Sequence, residues 1–583
     1  MCHLSLGDDR GGKETVQTRV WHAHYPPQVP ASLDYPAVSL NDLLMDTARR
    51  YPDKAALVFA QNTITYRELD DLVNRLAATL QQLGVRKGDR VALYLPNCPQ
   101  MVLGYFAVWR IGGIAVPVNI AHVAREFAYQ VHNAGATVAL CWDAKWEQVQ
   151  DAAASSGLRH VVLTGLEEFA SRSWVSFLGV GTQGAPLDQG EGYAHGEIHV
   201  HRLQDLLRVA PAQMLPTQAS PEDIATLLYT GGTTGVPKGA QLTHQNLVAN
   251  AVQIASWLTR LTPGEETVLT ALPLTHSYSL TMCMNQSVYR GYTQVLIANP
   301  RQLDDLLAAI DAYQITLFPG VPTMFLAVNQ HPGVRTGQYQ LRSIKACISG
   351  AAPLPREIQQ EFQRITGGVL VEGYGLTEAS PITHCNPLHG RDRIGTIGLP
   401  LPDTDCKIVD SETETRSLGP EQPGVLCVSG PQLMAGYWGM SEETANVLRR
   451  DRTGKLWLHT GDIAVMSVDG YFRIVDRKKD TIIAMGGLKV YPREVEDVLY
   501  EHPAVLEAAV IGVPIGGADQ RVKAFIVLRP EAQVDEEEIR AFCRERMAPY
   551  KVPKYIEFRA SLPKSGVGKV LRRHLAEEEK ART

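Results

Sequence analysis

The chain lacks paired cysteines, a hydrophobic leader and a strong net charge, and each absence excludes a class of protein. Its nine cysteines are scattered singly with no CxxC spacing. That pattern disfavours a disulfide framework or zinc site and favours reduced cytosolic thiols. Residues 1–20 have no apolar core, so we interpret them as a flexible polar leader rather than a signal peptide. A formal net charge of -6 over 583 residues argues against broad electrostatic binding of nucleic acid.

A long apolar stretch, residues 101–121, could be mistaken for a membrane span. Arg110, the pair Gly112-Gly113 and Pro117 interrupt it, so it predicts a buried helix followed by a buried strand. We therefore expect a soluble, cytoplasmic protein. Peripheral contact with the inner face of the membrane stays open.

Helices and apolar strands alternate for most of the chain, which predicts an α/β protein. Thr65 and Glu68 form a capping-box pattern, and the leucines after them recur at helical spacing as far as Gly84. Short apolar runs predict strands that are buried on both faces. These runs are residues 91–95, 114–118, 138–141 and 161–164.

Composition and charge also predict the domain limits. Residues 171–192 are rich in Gly, Ser and Gln, and we interpret them as a surface insertion. Two apolar runs flank Asp469-Gly470 and predict a hairpin, and the charged sequence DRKKD follows it. We place the domain boundary at this charged sequence, residues 476–480. A large N-terminal region of several α/β subdomains, residues 21–478, then precedes a small mobile α+β C-terminal domain, residues 479–583.

The sharpest local motif is YTGGTTGVPKGA, residues 229–240. Its glycines let phosphates approach the backbone, its hydroxyls and N–H groups can donate hydrogen bonds, and Lys238 adds a positive charge. It is not a Walker A loop, because Lys238 lies between Pro237 and Gly239. Alone, it fits a phosphate-binding loop and an ordinary flexible loop about equally. The candidate ligand-binding residues are Thr230, Gly231, Gly232, Thr233, Thr234, Gly235 and Lys238.

Further motifs follow this loop along the chain. They are LPLTH at 272–276, SGAAPL at 349–354, YGLTE at 374–378, TGD at 460–462, DRKKD at 476–480 and PKSGVGK at 563–569. In this order and spacing the set resembles the adenylate-forming superfamily of acyl-CoA synthetases, luciferases and peptide-synthetase adenylation domains. The opening VWHAHYPPQVPASLDYP, the pair Gly231-Gly232 and Asp476 are most similar to bacterial long-chain fatty-acid–CoA ligases.

The resemblance implies a nucleotide site. It places Thr377 at the α-phosphate of ATP, Glu378 on Mg²⁺, and Asp462 with Arg477 on the ribose hydroxyls. A hard cation that bridges phosphate oxygens needs an oxygen ligand such as Glu378. Apart from the motifs, a core tyrosine, a solvated glutamate and a turn aspartate are the alternative interpretations. The residues implied for the adenine pocket are Gly350, Ala351, Ala352, Gly373, Tyr374 and Gly375.

The resemblance also implies a mobile catalytic lysine. Lys569 would bridge the substrate carboxylate and the α-phosphate, where a positive charge stabilises the negative charge that develops on attack. The small domain would then turn about Lys479, and Gly486 and Gly487 would allow the close passage of coenzyme A. His276 and Leu280 are candidates for the acyl pocket, although a packing role for His276 is nearly as well supported.

The function implied is the ATP-dependent ligation of a medium- or long-chain fatty acid to coenzyme A through an acyl-AMP intermediate. ATP, Mg²⁺ and coenzyme A are the expected cofactors, and the chain is expected to be a monomer or a homodimer. An aryl- or short-chain acid ligase and a luciferase-like oxygenase share the motifs. An amino-acid-activating domain would need an acidic anchor, which LPLTHSYSL lacks. A non-catalytic acyl-binding homologue would show decay at Lys569, Glu378 or Asp462, and all three are intact.

Overall fold

The computed structural model describes residues 19–170, 194–195, 198–210, 215–230, 237–389, 393–484, 488–516, 519–564 and 570–582. Several features predicted from the sequence lie outside these ranges. They are the leader up to residue 18, the insertion at 171–192, Gly231, Gly232, Thr233, Thr234, Gly235, Gly486, Gly487 and Lys569.

The strands of the described residues are given first, in chain order. They are β1 (Ala55–Phe59), β2 (Asn62–Thr65), β3 (Arg90–Tyr94), β4 (Ile114–Pro117), β5 (Val138–Trp142), β6 (His160–Thr164), β7 (Ala194–His195), β8 (Ile198–Arg202), β9 (Ile224–Thr230), β10 (Lys238–Thr243), β11 (Thr267–Thr270), β12 (Thr293–Leu296), β13 (Leu317–Gly320), β14 (Ala346–Ser349), β15 (Val369–Gly375), β16 (Ile382–Cys385), β17 (Leu399–Pro400), β18 (Asp405–Val409), β19 (Gly424–Ser429), β20 (Gly436–Tyr437), β21 (Leu448–Arg450), β22 (Leu456–Met466), β23 (Phe472–Arg477), β24 (Ile482–Ala484), β25 (Leu488–Val490), β26 (Val505–Gly516), β27 (Asp519–Leu528) and β28 (Tyr555–Phe558).

The α-helices of the same residues alternate with these strands. They are α1 (Leu40–Arg50), α2 (Tyr66–Gln82), α3 (Pro99–Arg110), α4 (Ala124–Ala134), α5 (Trp146–Asp151), α6 (Ala153–Ser156), α7 (Leu203–Val209), α8 (His244–Trp257), α9 (Ser277–Ser279), α10 (Gln286–Arg290), α11 (Leu303–Ala312), α12 (Pro322–Gln330), α13 (Pro332–Arg335), α14 (Arg356–Thr366), α15 (Ser441–Val447), α16 (Pro492–Tyr500), α17 (Glu536–Arg544) and α18 (Arg572–Arg582). A π-helix spans Leu280–Asn285, and 3₁₀ turns span Val20–His24, Asp143–Lys145, Leu166–Phe169, Thr377–Ala379 and Lys478–Asp480.

Two large sheets form the body of the molecule. The first has the order β17-β16-β15-β14-β13-β11-β12-β1-β2 and the second β20-β10-β9-β4-β3-β5-β6-β8-β7. The central strands of both pair in parallel, and antiparallel pairs lie at the edges. Parallel strands buried on both faces read as continuous apolar runs, which is why β3 to β6 could be predicted from the sequence.

The predicted helix after Thr65 is confirmed. The Thr65 side chain accepts the Glu68 backbone N–H, and the Glu68 carboxylate accepts that of Thr65, so both halves of the capping box are present. The helix α2 ends at Gln82, and Gly84 follows with φ at +89°. The stretch 101–121 forms most of α3 and then β4, as predicted. Within the described ranges, no helix is both long enough and apolar enough to cross a membrane.

Three smaller sheets follow. One has the order β18-β19-β22-β21, with β23 on β22, and the others are β24-β25 and β26-β27-β28. Two hydrophobic clusters draw their buried residues from positions 482–575, separately from the clusters of the preceding sheets. The chain is therefore an α/β protein with a large N-terminal domain and a small C-terminal one. The residue limits given above for the two domains remain a prediction.

Candidate active site

A charged cluster lies between the predicted hairpin and the end of β15. Asp462 in β22 is paired with Arg477 in β23, and the distance from Asp462 Oδ1 to Arg477 Nε is 2.6 Å. The Tyr374 hydroxyl donates a hydrogen bond to Asp462 Oδ2 at 2.5 Å. Asp462 is only 2% exposed, and charge-assisted bonds of this kind offset the cost of burying a carboxylate. A carboxylate has about four lone-pair sites, so Asp462 can still accept bonds from a ligand.

The protonation of this cluster is well defined. Burial, with the nearby Asp462 carboxylate, raises the pKa of Tyr374 far above its ordinary value. The phenol therefore keeps its proton and donates a hydrogen bond to Asp462. The same carboxylate raises the pKa of Arg477, which stays a cation. The three groups therefore form one fixed arrangement of donor, acceptor and cation.

The small residues predicted for the adenine pocket lie at the ends of neighbouring strands. Gly350, Ala351 and Ala352 follow β14, and β15 pairs with β14 in parallel. A Cβ added at Gly350 would lie 3.1 Å from the Tyr278 ring, and one added at Gly375 would lie 2.2 Å from the backbone oxygen of Pro381. The approach of the Pro381 backbone therefore requires glycine at 375, whereas a side chain at 350 would press against the Tyr278 ring.

Glu378 and Thr377 lie in the 3₁₀ turn after β15. The Tyr437 hydroxyl donates to Glu378 Oε1 at 2.7 Å, and the Thr377 and Ser277 hydroxyl oxygens are 3.2 Å apart. Burial, followed by the Glu378 charge, raises the pKa of Tyr437, so the phenol remains a donor. Tyr437 and Ser277 lie outside the motifs that predicted the site from the sequence. Both become neighbours of the motif through the fold, about 60 and 100 residues away along the chain.

Lys238 is the described cation of the glycine-rich motif. It is 8% exposed, and its ammonium group forms an ion pair with Glu443, at α15. The same ammonium group lies 5.4 Å from the centroid of the Tyr437 ring. The strand β10, which begins at Lys238, pairs with β20, and this pairing brings Tyr437 to the motif. Glu443 also escaped the sequence analysis, because no local pattern links it to Lys238.

His276 and Leu280 begin the helical segment that covers β11. His276 caps α9, and its Nδ1 accepts the Tyr278 backbone N–H at 3.2 Å. Burial lowers the pKa of His276 to about 4, so its imidazole is neutral at pH 7. Leu280 is fully buried and opens the π-helix. Ser277 joins this segment to Thr377, so the LPLTH and YGLTE motifs are adjacent in the fold.

The turn Lys478–Asp480 follows Arg477 directly, and Lys479 is its middle residue. Its side chain is exposed, while Lys478 and Asp480 are half-buried. The turn joins β23 to β24, at the boundary predicted between the large domain and the small one. A short turn whose middle residue is exposed can absorb a change of backbone angles.

The fold thus brings Tyr374, Thr377, Glu378, Asp462 and Arg477 together at one edge of the first sheet. Thr230 ends β9, immediately before the part of the glycine-rich loop that lies outside the described residues. Gly373 lies in β15, one residue before Tyr374. In the described part of the chain, no group of three or more His, Cys, Asp or Glu side chains could hold a metal ion.

Two stretches of the chain match known protein families. Residues 44–438 match the family described as AMP-binding enzyme, and residues 494–569 match the AMP-binding enzyme C-terminal domain. The chain belongs to the family of AMP-binding, adenylate-forming enzymes.

The chain is also similar to individual proteins over nearly its whole length. The chain is 43% identical to a long-chain-fatty-acid–CoA ligase of Bacillus subtilis, over 96% of this chain and 98% of that protein. It is 38% identical to a long-chain-fatty-acid–CoA ligase of Escherichia coli, over 97% and 99%. Among solved structures, ATP-bound MatB from Rhodopseudomonas palustris superimposes with a TM-score of 0.80 at 29% identity, over 94% of this chain and 99% of that one.

Proposed function

We propose that the chain is an ATP-dependent fatty-acid–CoA ligase that forms an acyl-AMP and transfers the acyl group to coenzyme A, releasing AMP and pyrophosphate. The observation that carries the proposal is the Tyr374–Asp462–Arg477 cluster beside Glu378. The cluster combines Asp462 as a buried acceptor and the flat ring of Tyr374 with the nearby Glu378 carboxylate. The chain that carries it is similar over nearly its whole length to long-chain-fatty-acid–CoA ligases.

In this proposal the nucleotide is held by its adenosine end. The ring of Tyr374 and the small residues Gly350, Ala351 and Ala352 would offer a flat surface to adenine. The lone pairs of Asp462 that remain would accept hydrogen bonds from ribose hydroxyls. Arg477 would keep the Asp462 carboxylate oriented, since its guanidinium is already paired with that carboxylate.

The phosphate end would be held by the turn and the glycine-rich motif. Glu378 would supply one oxygen ligand to Mg²⁺ while phosphate oxygens supply others, and a Mg²⁺ ion that bridges phosphates typically has one or two protein carboxylates. When bound, that ion would neutralise phosphate charge. The Thr377 hydroxyl would donate to the α-phosphate, and Lys238 would have to leave Glu443 to reach a phosphate.

Two half-reactions would use different faces of the small domain. In the first, Lys569 would stabilise the charge that develops as the carboxylate attacks the α-phosphate, breaking the bond to pyrophosphate. In the second, rotation at Lys479 would bring Gly486 and Gly487 to the site, and the coenzyme A thiol would attack the acyl carbonyl with AMP as the leaving group.

The acyl chain would enter beside His276 and Leu280. The imidazole of His276 is neutral at pH 7, so it adds no charge that would favour a dicarboxylate. Apolar side chains of the same segment, including Met282 and Met284, are fully buried, which suits a hydrocarbon tail. An aryl- or short-chain acid remains the second candidate substrate.

The partners and location form part of the same proposal. Free fatty acid, ATP and coenzyme A are its ligands, and a monomer or homodimer is its assembly. We place the protein in the cytoplasm, with peripheral contact at the inner face of the membrane. The eight cysteines of the described residues are buried and free of disulfides, which suits a reducing compartment.

A panel of acids tests the substrate class. Acetate, octanoate, palmitate, oleate and benzoate are compared by AMP formation in the presence of ATP, Mg²⁺ and coenzyme A. Each buried methylene contributes about 0.8 kcal/mol, so kcat/KM should rise with chain length until the pocket ends. An optimum at acetate or benzoate would contradict the fatty-acid assignment while leaving adenylation intact.

A further inference from the structure

A charged loop of the large domain contacts the segment on which the small domain would turn. This loop, residues 410–416 after β18, is named the acidic loop. The Asp410 carboxylate accepts backbone N–H bonds from Glu412, Thr413 and Arg416, at 2.8 to 3.2 Å. These bonds hold the loop backbone in one conformation and set the direction of its other acidic side chains.

Glu414 of the acidic loop joins three separate segments. Its carboxylate lies 2.5 Å from Lys478 Nζ, 3.0 Å from an Arg449 guanidinium nitrogen and 2.8 Å from His459 Nδ1. The Glu414 side chain is 13% exposed, so these contacts are less screened than surface ion pairs. Burial alone would raise the pKa of Glu414, but hydrogen bonds from Lys478 and His459 outweigh it and lower the pKa. Glu414 is therefore ionised at neutral pH.

Lys478 is the partner that matters for motion. Arg449 and His459 belong to β21 and β22 of the large domain, whereas Lys478 immediately precedes Lys479, the proposed hinge. Fixing the Lys478 side chain restricts the direction in which the following backbone leaves the large domain.

The small domain itself also touches the acidic loop. Lys489 in β25 places its Nζ 3.0 Å from the Ser411 hydroxyl and 3.7 Å from a Glu412 carboxylate oxygen. Burial raises the pKa of Glu372 in β15, and the charge of Arg493, the second residue of α16, partly opposes that rise. The face that carries β25 and the start of α16 is therefore turned toward the large domain.

We propose that the acidic loop is a docking site that holds the small domain in the orientation for thioester formation, with Glu414 as its positioning residue. The inference rests on the two half-reactions and the hinge proposed above. Lys489 lies two residues after Gly487, so a described residue close in sequence to the proposed coenzyme A loop contacts Ser411 of the large domain. In the half-reactions proposed above, adenylation would use a different face of the small domain and would not depend on this contact.

Separate assays of the two half-reactions test the docking site. Adenylation is followed as pyrophosphate release from ATP and palmitate without coenzyme A. Thioester formation is followed from synthetic palmitoyl-AMP and coenzyme A. Glu414→Gln and Lys478→Met should each slow thioester formation about three- to tenfold, the range for a partly exposed charged hydrogen bond, and change adenylation by less than about twofold.

Arg449→Met is the matched control, because it removes another cation from the same carboxylate without touching the hinge. It should leave both rates within about twofold of wild type. Raising the salt concentration from about 0.05 to 0.5 M should slow thioester formation by wild type more than by Lys478→Met, since ion pairs are screened.

Three results would overturn the docking role. These are equal loss of both half-reactions in Lys478→Met, a loss in Arg449→Met as large as in Lys478→Met, or an unchanged thioester rate in both test variants. Failure of wild type to form palmitoyl-CoA at all would instead contradict the proposed function, and the docking role with it. The Lys478 side chain is 39% exposed against 13% for that of Glu414, so Lys478→Met keeps the test valid if Glu414→Gln does not fold.

Discussion

At the scale of single residues, Asp462 is the most heavily constrained group in the site. Asp462→Asn preserves its shape but removes the charge that pairs with Arg477 and accepts from Tyr374. A hydrogen bond to a charged group contributes about 1.5–3 kcal/mol, so the KM for ATP should rise about 10- to 150-fold. Steady-state kinetics with ATP as the varied substrate measure this.

The control for Asp462 is Tyr374→Phe, which keeps the aromatic ring and removes one donor. Its KM for ATP should rise less than that of Asp462→Asn. An unchanged KM for ATP in Asp462→Asn would exclude Asp462 from nucleotide binding.

Tyr437 gives a second prediction at this scale. Tyr437→Phe frees Glu378 Oε1 from its hydrogen bond, so the carboxylate should be less well oriented for Mg²⁺. The Mg²⁺ concentration for half-maximal activity should rise about two- to tenfold, the value of one hydrogen bond. Tyr94→Phe is the control, because the Tyr94 hydroxyl donates to the His122 backbone oxygen instead. Equal Mg²⁺ dependence in both variants would contradict the positioning of Glu378 by Tyr437.

Residue roles were predictable where a motif is local, and not where partners come from distant segments. The sequence identified Asp462 and Arg477, which the structure pairs across one hairpin. It did not identify Tyr437, Glu443 or Glu414. Their partners lie 35 to 205 residues away, and only sheet pairing and loop packing bring them close.

At the scale of elements, the turn Lys478–Asp480 is the predicted connection between the two domains. Lys479→Pro fixes φ and restricts Lys478, so a turn that must change its backbone angles should stall in one orientation. Adenylation should continue while palmitoyl-CoA formation falls by at least about tenfold, because the proposed hinge gates only the second step. Product analysis with and without coenzyme A separates the two.

Lys479→Ala is the control for the hinge, since it removes the side chain and keeps the backbone freedom. It should retain both half-reactions. Equal inhibition of both steps by Lys479→Pro, or a strong defect in Lys479→Ala, would mean that rotation at this residue does not separate the steps.

Elements were predictable where periodicity is regular. The capping box at Thr65 and the hairpin around Asp469-Gly470 follow from local rules, and both are present. The π-helix at Leu280–Asn285 and the acidic loop were not predicted. The first has no sequence signal distinct from an α-helix, and the second depends on contacts with β21, β22 and Lys478.

At the scale of the whole molecule, buried histidines make the fold sensitive to acid. Burial lowers the pKa of His244 and His276 to about 4 and that of His384 to about 3, from an ordinary value of 6.5. As pH falls from 6.5 to 4, the unfolded chain binds protons that the folded chain does not, so the free energy of unfolding falls. Burial also lowers the pKa of His22, His122, His160, His201 and His459, which adds to this trend. Burial raises the pKa of Glu372 to about 7 and also raises that of Glu168, Glu496 and Asp497, which opposes the trend.

Urea unfolding at pH 7, 6 and 5 measures the effect. Each buried histidine can contribute up to about 1.4 kcal/mol per pH unit in this window. The free energy of unfolding of wild type should fall toward pH 5, and His384→Gln should show a shallower slope. His389→Gln, at an exposed position, is the control and should keep the wild-type slope. Identical slopes in all three proteins would contradict a buried neutral His384.

The central claim is that this chain activates a fatty acid as an acyl-adenylate. Exchange of labelled pyrophosphate into ATP tests it most directly, because exchange requires reversible formation of that intermediate. With ATP, Mg²⁺ and palmitate but no coenzyme A, wild type should exchange label, and omission of palmitate should abolish the exchange. Lys569→Ala should lower the rate by at least about a hundredfold, since one preorganised donor is worth roughly 2.7–4 kcal/mol. Exchange without any acid, or ADP as the product in place of AMP, would contradict the account.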